Sequence, residues 1–452
     1  MKLITPPLVV NDDDSFENDL FGRRESGESL LNIVTNCEDA LVVSVNAGWG
    51  EGKSTFIQMW KGLLQKNGIP NIYIDACSCD YIDDPFISVV SAITAYTEER
   101  TAPEHQKILA GLKEQFVKVG KKLLPMALKI STRAAMSGVV QEGVLNHRTE
   151  IEADSTAGLS GVISSVITER IENHTNDIKM VAAFRLTLSK LPSILSKDRD
   201  KPLVIIVDGL DRCKPTYAVE MIEKIKHLFS VKNIIFVLAM NQEQIERSIR
   251  SIYGYDIDAG TYLQKFINLE MPLPKRTAES HQNDLKIYSE QLIRLHEIET
   301  WGDSVKIVDC ADSLANHFNL SLRQLENVFT YITLFYGSST EKQFRLVPIV
   351  VMMSTLRVVD YSLFTSLLKG RSSLDEVTKE LNLDNINLDN KRIFATEWIL
   401  DLIRYSLMSD DEYAALPEDD EIRVQSQSLS HYHLKRSEII PYHAKMIHTF
   451  SI

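Results

Sequence analysis

At 452 residues the chain is longer than one ordinary domain and long enough to bury a sizeable core, which predicts two or three domains. Its composition, 44% hydrophobic and 25% charged, is typical of a globular protein, and the formal net charge of -13 disfavours a dedicated nucleic-acid binder, whose domains are usually basic. The five cysteines have no zinc or disulfide spacing, the first residues lack the apolar run of a signal peptide, and no long apolar stretch is free of charge. We therefore expect a cytoplasmic protein without a membrane span.

Short apolar runs alternate with stretches of helical spacing along much of the chain, a pattern typical of a parallel sheet covered by helices on both faces. We predict strands at residues 41–46, 71–76, 202–211, 233–241 and 267–274, of which the last is the weakest. Helices are predicted between them, among others at Ser54–Leu64, Tyr217–Phe229 and Gln242–Tyr253. The predicted fold class is therefore α/β, and a ligand is expected at the carboxyl ends of the strands.

The alternation is interrupted between residues 99 and 200, which separate the second and third strands by far more than one crossover helix requires. After residue 275 the chain has only helical spacing. We expect an amino-terminal part of the sheet domain at 1–98, a helical insertion at 99–200, a second part of the sheet domain at 201–275 and a helical carboxy-terminal region at 276–452. Within this last region we predict a helix at 321–335, a buried helix at 346–364 and a solvated acidic loop at 409–421.

The insertion carries a basic segment in an acidic chain. Residues 105–148 contain eight basic and two acidic residues, and residues 107–140 are partly amphipathic. Such a segment can lie on an anionic membrane surface, hold nucleic acid or bind a partner protein. It is equally compatible with a helical subdomain whose lysines are solvated, and the sequence leaves these alternatives open.

The strand at 41–46 leads into VNAGWGEGKST, residues 45–55, which nearly matches the phosphate-binding loop G-x-x-x-x-G-K-[ST]. In such a loop, backbone N–H groups and a helix amino terminus surround a phosphate. Lys53 is expected to reach the β- and γ-phosphates of ATP, and Ser54 to give its hydroxyl to Mg²⁺. Ala47, at the first glycine position, adds only a methyl group, so we expect the loop to form; the alternative is a glycine-rich turn without a ligand. The expected nucleotide-binding residues are Gly48, Trp49, Gly50, Glu51, Gly52, Lys53, Ser54 and Thr55.

Polar residues also follow two later strands. Asp208 ends the third strand, where an aspartate holds Mg²⁺ in phosphate-loop proteins, and Asp211 is the next carboxylate able to act as a base. Asp211 is also compatible with a helix cap or a partner of Arg212. Arg212 itself suits a γ-phosphate contact, a bridge to a neighbouring subunit or a plain surface position. Asn241 ends the fourth strand, where it would orient the attacking water, cap the helix that begins at Gln242, or do both.

Taken together, these residues resemble the KAP family of P-loop NTPases, a STAND-like branch, over residues 15 to 370. The resemblance rests on GWGEGKS with its tryptophan in the loop, on VDGLDRC followed by a helix and IIFVLAMN, on YLQK at 262–265 and on MPLP. The segment FGRRESGESLLNIV, at 21–34, is similar to the entry that lies near the adenine in related NTPases. The helix holding Arg323 is similar to the family's arginine-bearing helix, which implies that Arg323 approaches the γ-phosphate from the carboxy-terminal region.

The resemblance implies that the chain binds Mg-ATP and hydrolyses it slowly, with Asp211 as the base, and couples this to conformational change or assembly. It also implies partner proteins or a homo-oligomer, and a bacterial antiphage or stress-response system. Gly209 stands where the family often has a second aspartate, and the insertion lacks the transmembrane helices that many relatives carry. The alternative is a switch or scaffold that binds ATP without hydrolysing it. A small-molecule kinase is disfavoured because no lid or acceptor pocket is recognisable.

Overall fold

The computed structural model describes residues 1–6, 10–11, 14–82, 84–100, 110–120, 176–196, 201–276, 283–382, 393–427, 429 and 434–449. Most of the insertion predicted at 99–200 lies outside these residues, as does the basic segment at 107–140 apart from residues 110–120. The boundaries of the four predicted parts stay a prediction.

Five parallel strands form one sheet in the described part of the chain, in the order β2–β3–β4–β1–β5. They are β1 (Leu41–Asn46), β2 (Asn71–Asp75), β3 (Leu203–Asp208), β4 (Ile234–Met240) and β5 (Leu269–Pro272). The predicted α/β class and the five strands are confirmed, although four of the strands are shorter than predicted. Both β3 and β4 are buried along their whole length, whereas β5 is an edge strand and mostly exposed. The register places Asp75 beside Asp208 at the carboxyl edge of the sheet.

Helices cover both faces of this sheet because its strands alternate their side chains between two cores. On one face, Val204 and Ile206 of β3 pack with α2 residues such as Trp60, while on the other Ile205 and Val207 pack with α4 and α8. The helices of this half are α1 (Arg24–Asn36), α2 (Lys53–Lys66), α3 (Ala76–Cys79), α4 (Pro85–Arg100), α5 (110–120), α6 (176–188), α7 (Leu191–Leu195), α8 (Pro215–Leu228), α9 (Gln242–Tyr253) and α10 (Ala259–Leu263).

After β5, the described residues form helices joined by loops, without a strand, and these helices have a separate hydrophobic core. This helical region comprises α11 (Asp284–Leu295), α12 (Ser304–His317), α13 (Leu322–Gly337), α14 (Val347–Val359), α15 (Tyr361–Leu368), α16 (Leu374–Glu380), α17 (Ile393–Leu407), α18 (Asp410–Ala415), α19 (Glu421–Gln427) and α20 (Ile439–His448). The helix predicted at 321–335 is α13. The buried apolar run predicted at 346–364 is divided between α14 and α15 at Asp360, whose side chain caps α15.

The solvated loop predicted at 409–421 is wrong in its first half. Residues Asp410–Ala415 form α18, because Ser409 and Glu412 make a capping box that satisfies the amino terminus of a short helix. Only the residues between α18 and α19 connect them without helix.

Within the described ranges, no helix combines the length and the apolar character needed to cross a membrane. All five cysteines, which lie in described segments, are free thiols.

Candidate functional site

The connection between β1 and α2 has the backbone of a phosphate cradle. Gly50 and Gly52 have φ angles of 78° and 80°, a left-handed conformation that disfavours side chains, and Gly52 is the cap residue of α2. Gly48 has no positive φ, and a Cβ there would make an ordinary contact with Glu51 at 3.5 Å. Ala47 fits, and its N–H donates to the carbonyl of Met240 at 3.4 Å. The backbone therefore demands glycine at positions 50 and 52.

Lys53 is buried at the centre of this loop, with 8% of its surface exposed. Its Nζ donates to the carbonyl oxygens of Ala47 and Gly48 at 2.8 and 2.9 Å and lies 3.9 Å from Oδ2 of Asp211. Burial lowers the pKa of Lys53, and the negative charges of Asp211 and Asp208 oppose that shift. The fold thus brings a charged ammonium and two carboxylates together, although they come from loops about 155 residues apart in the chain.

Trp49 makes a contact that the sequence did not predict. Its indole Nε1–H donates to Oδ2 of Asp211 at 2.5 Å, although 53% of the tryptophan remains exposed. The side chain of Asp211 is only 2% exposed, and its other oxygen, Oδ1, is buried without a hydrogen-bond partner among the described residues. Asp211 therefore faces the phosphate loop rather than capping a helix or pairing with Arg212.

Asp208 lies at the end of β3 and is 2% exposed. Its Oδ2 accepts a hydrogen bond from the hydroxyl of Tyr73 in β2 at 3.0 Å, and its Oδ1 is buried without a partner in the described part of the chain. Burial, followed by the charge of Asp208, raises the pKa of Tyr73, so this hydroxyl stays a donor. Sequence reasoning missed Tyr73 as a residue of the candidate site, because a tyrosine inside a strand predicts only a core position.

Gly209 explains why the chain has no second aspartate directly after Asp208. Its φ is 74°, and it begins the 3-10 turn Leu210–Arg212 that carries Asp211 into the loop. A Cβ at this position would lie 2.7 Å from Nη2 of Arg212, whose otherwise exposed side chain folds back over the glycine.

Asn241 is confirmed as the cap of α9, since its side-chain oxygen accepts from the N–H of Glu243 at 3.1 Å. Beside it, the side chain of Asn46, at the end of β1, accepts from the N–H of Gln242 at 3.0 Å. The ends of β1 and β4 are thereby fixed to the first turn of α9. The cap uses the side-chain oxygen of Asn241, and the side-chain NH2 group takes no part in it.

The first turn of α13 docks on the phosphate loop. The N–H of Arg323 donates to the carbonyl of Gly50 at 3.2 Å, and a Cβ on Gly50 would lie 2.7 Å from Cβ of Arg323 and 3.0 Å from Oγ of Ser321. Ser321 caps α13 in a capping box with Gln324. The structure therefore brings Arg323 to the loop through its backbone, while its side chain is exposed.

A cavity of about 520 Å³ opens beside the loop, between the sheet half and the helical region. The rings of Phe21 and Tyr288 meet edge to face in its wall, with centroids 5.7 Å apart, and the hydroxyl of Tyr288 donates to Glu326. Thr55 and Met59 of α2 line the cavity from the sheet side, together with Gly50 and Gly52 of the phosphate loop. A cavity of this size, mostly apolar with a few polar groups, is suited to a small organic ligand.

Arg23 is a second residue that sequence reasoning did not single out. It is 2% exposed, its Nε donates to the carbonyl of Pro274 at 3.3 Å, and its guanidinium lies 4.8 Å from the ring centre of Phe21. A Cβ on Gly52 would lie 2.9 Å from its Nη1. Burial lowers the pKa of Arg23, opposed by nearby acids, but an arginine stays charged. The only signal was its position in the segment 21–34, expected near an adenine.

Comparison with known proteins agrees with the family predicted from the motifs. A family model described as the KAP family P-loop domain matches residues 23–337, more than half of the chain, so the chain belongs to the KAP family. A comparison with curated proteins found no match. Among solved structures, the chain is similar to the Aeropyrum pernix ORC2 protein, described in ADPNP and ADP complexes. The identity is 14%, the TM-score is 0.36, and the alignment covers 99% of this chain and 96% of that one.

Proposed function

We propose that this KAP-family chain binds Mg-ATP in the cleft between its sheet and its helical region and hydrolyses it slowly, using Asp211 as the base. The observation that carries the proposal is the meeting of Lys53 with two buried carboxylates, Asp208 and Asp211, beside a loop that Gly50 and Gly52 turn with left-handed φ angles. As the family resemblance implies, turnover would serve conformational change or assembly with partner proteins, in a bacterial antiphage or stress-response system.

The phosphates belong in the loop, because it leads through Gly52 into the first turn of α2, and that helix adds the positive potential of its amino terminus. Lys53 would exchange its bonds to loop carbonyls for bonds to the β- and γ-phosphates. Glu51 is held away from them by Lys275, whose Nζ donates to it at 3.1 Å, so an acid in this loop does not repel the ligand.

Magnesium fits the residues at the loop. Oδ1 of Asp208 is a buried carboxylate oxygen without a partner in the described residues, and the hydroxyl of Ser54 is exposed in the first turn of α2. Both are hard oxygen donors of the kind Mg²⁺ prefers. When bound, the metal would neutralise charge on the phosphates. Tyr73 would keep Asp208 oriented through the bond to its other oxygen.

The adenine ring of ATP belongs in the cavity that Phe21, Tyr288 and Leu322 line. Adenine offers an exocyclic amino donor, and the carboxylates of Asp19 and Glu326 line the same cavity as acceptors. The charged Arg23, buried between this cavity and Gly52, is placed to meet phosphate oxygens nearest the ribose.

In the hydrolytic step, water attacks the γ-phosphorus while the bond from that phosphorus to the bridging oxygen breaks, and ADP leaves with the bonding electrons. The proton of the water passes to Asp211. The amide of Asn241 would orient the water, and Arg212 and Arg323, both exposed at the edge of the loop, would offset charge on the transferred group.

A switch that binds ATP without hydrolysis is the second candidate, and one observation favours it. Both nearby carboxylates already accept a hydrogen bond from the protein: Asp208 accepts one from Tyr73, and Asp211 accepts one from Trp49. A base already holding a hydrogen bond is less able to take a proton.

The deciding measurement is ATP binding and phosphate release on the same preparations of wild type, Lys53→Ala and Asp211→Asn. We expect slow release by wild type, loss of binding in Lys53→Ala, and binding with release lowered by about a hundredfold or more in Asp211→Asn. Asp256→Asn, a matched change at an exposed position, should behave as wild type. Binding that needs Lys53 but leaves ATP intact for hours, with Asp211→Asn indistinguishable from wild type, would establish the switch instead.

A further inference from the structure

Trp49 is hydrogen-bonded to a carboxylate oxygen of Asp211, the residue that acts as the base in the proposed reaction. Its indole N–H donates to Oδ2 of Asp211 at 2.5 Å, a short distance for a hydrogen bond to a charged acceptor. The remaining oxygen, Oδ1, is buried on the other side of the same carboxyl group. While this contact persists, no exposed oxygen of Asp211 is open to a water molecule, since the whole side chain is only 2% exposed.

Trp49 is next in the chain to a residue that contacts the helical region. The next residue, Gly50, accepts a backbone hydrogen bond from Arg323 at 3.2 Å and would clash with α13 if it had a side chain. Gly50 also has a left-handed φ of 78°, which sets the direction of the chain directly after the tryptophan. A movement of the first turn of α13 must therefore move Gly50 or break this bond, and either change alters what holds the residue next to Trp49. Because 53% of Trp49 is exposed, its ring has solvent to move into.

We propose that Trp49 is a positioning residue that withholds Asp211 from the attacking water while α13 is docked on Gly50, and releases it when that docking changes. The inference rests on the proposed function and adds its regulation: the helical region, and any partner held there, controls turnover through one indole. This assigns the loop tryptophan a part distinct from phosphate binding.

The test is phosphate release at one pH over a range of ATP concentrations by wild type, Trp49→Phe and Trp49→Ala. Phenylalanine keeps an aromatic ring but has no N–H to donate. We expect turnover to rise about tenfold, the factor that a hydrogen bond to a charged group would withhold. The gain should appear in kcat with the KM for ATP unchanged, because the indole contacts the carboxylate of Asp211 while the proposed contacts of the nucleotide stay in place.

Trp301→Phe is the matched control, since this tryptophan stacks on Tyr336 in the helical region, away from the loop. It should leave both kcat and the KM for ATP unchanged. Unchanged or lower turnover in both Trp49 variants, with Asp211→Asn still inactive, would overturn the role of Trp49 and leave the ATPase intact.

A second readout does not depend on hydrolysis. In protein labelled with ¹⁵N-tryptophan, the indole signal that disappears in Trp49→Phe should lie downfield, and should shift in Asp211→Ala. The same signal should shift when a non-hydrolysable ATP analogue binds. A signal indifferent to Asp211→Ala would overturn the contact even if the protein never releases phosphate, so failure of the inference is distinguishable from failure of the proposed function.

Discussion

At the scale of single residues, the turn after β3 decides which carboxylate reaches the phosphate loop. The left-handed φ of Gly209, 74°, ends the strand at Asp208 and turns the chain so that Asp211 lies 3.9 Å from Nζ of Lys53. An aspartate at position 209 would carry the strain of that backbone and would have to displace the guanidinium of Arg212. The pattern D-G-L-D is therefore a geometric alternative to two adjacent aspartates.

Gly209→Ala should lower the free energy of unfolding by about 1 kcal/mol, because alanine is strained in this conformation even after Arg212 moves away. Gly111→Ala is the control: Gly111 lies in helix α5 with nothing within 4 Å of an added Cβ, so it should be neutral or stabilising. Denaturant titration of the three proteins measures the difference. Equal stability of Gly209→Ala and wild type would contradict the strained turn.

The motif residues of the site were predictable, but their partners were not. Lys53, Asp208 and Asp211 stand out in the sequence because a glycine-rich loop and strand-terminal acids have fixed chemical uses. The contacts from Trp49 to Asp211 and from Tyr73 to Asp208 join residues 162 and 135 positions apart, and they depend on strand order and side-chain direction. No local pattern carries that information.

At the scale of secondary-structure elements, α13 connects the two halves of the molecule. Its capping box, Ser321 with Gln324, fixes the first turn, and that turn presents the N–H of Arg323 to the phosphate loop. The helix itself was predicted from its apolar spacing. Its docking on Gly50 was not, because the resemblance placed only the arginine near a phosphate. Similarly, the capping box S-x-x-E at Ser409 indicates the start of α18, whereas the acidic composition of this segment led to the prediction of a loop.

Ser321→Ala should weaken both folding and nucleotide binding. Loss of the cap costs about 1 kcal/mol of stability, and a frayed first turn no longer holds Gly50. Ser373→Ala removes a capping box of the same kind from α16 and should cost similar stability without changing nucleotide affinity. Thermal unfolding and a nucleotide titration of both variants separate the effects. Equal affinity of the two variants would contradict a functional role for the α13 docking.

At the scale of the whole molecule, the described residues form a sheet half and a helical region that meet at a cleft. The sheet, with cores on both faces, supplies the phosphate loop, and the helical region, with its own core, supplies Tyr288, Leu322 and Glu326. The amino-terminal residues also lie across the helical region, where the carbonyl of Lys2 meets Nδ1 of the buried His296 at 2.6 Å. Alternating strands and helices predicted the sheet half, and helical spacing predicted the rest. The cleft between them depends on long-range packing that periodicity does not encode.

In the proposed function, ATP binds in this cleft and contacts both halves at once. Hydrogen–deuterium exchange with and without a non-hydrolysable Mg-ATP analogue tests it most directly, using peptides that cover residues 18–24, 48–56, 284–296 and 321–327. We predict slower exchange in all four peptides of wild type and none of these changes in Lys53→Ala. Protection confined to residues 48–56, or the same protection in Lys53→Ala, would contradict it.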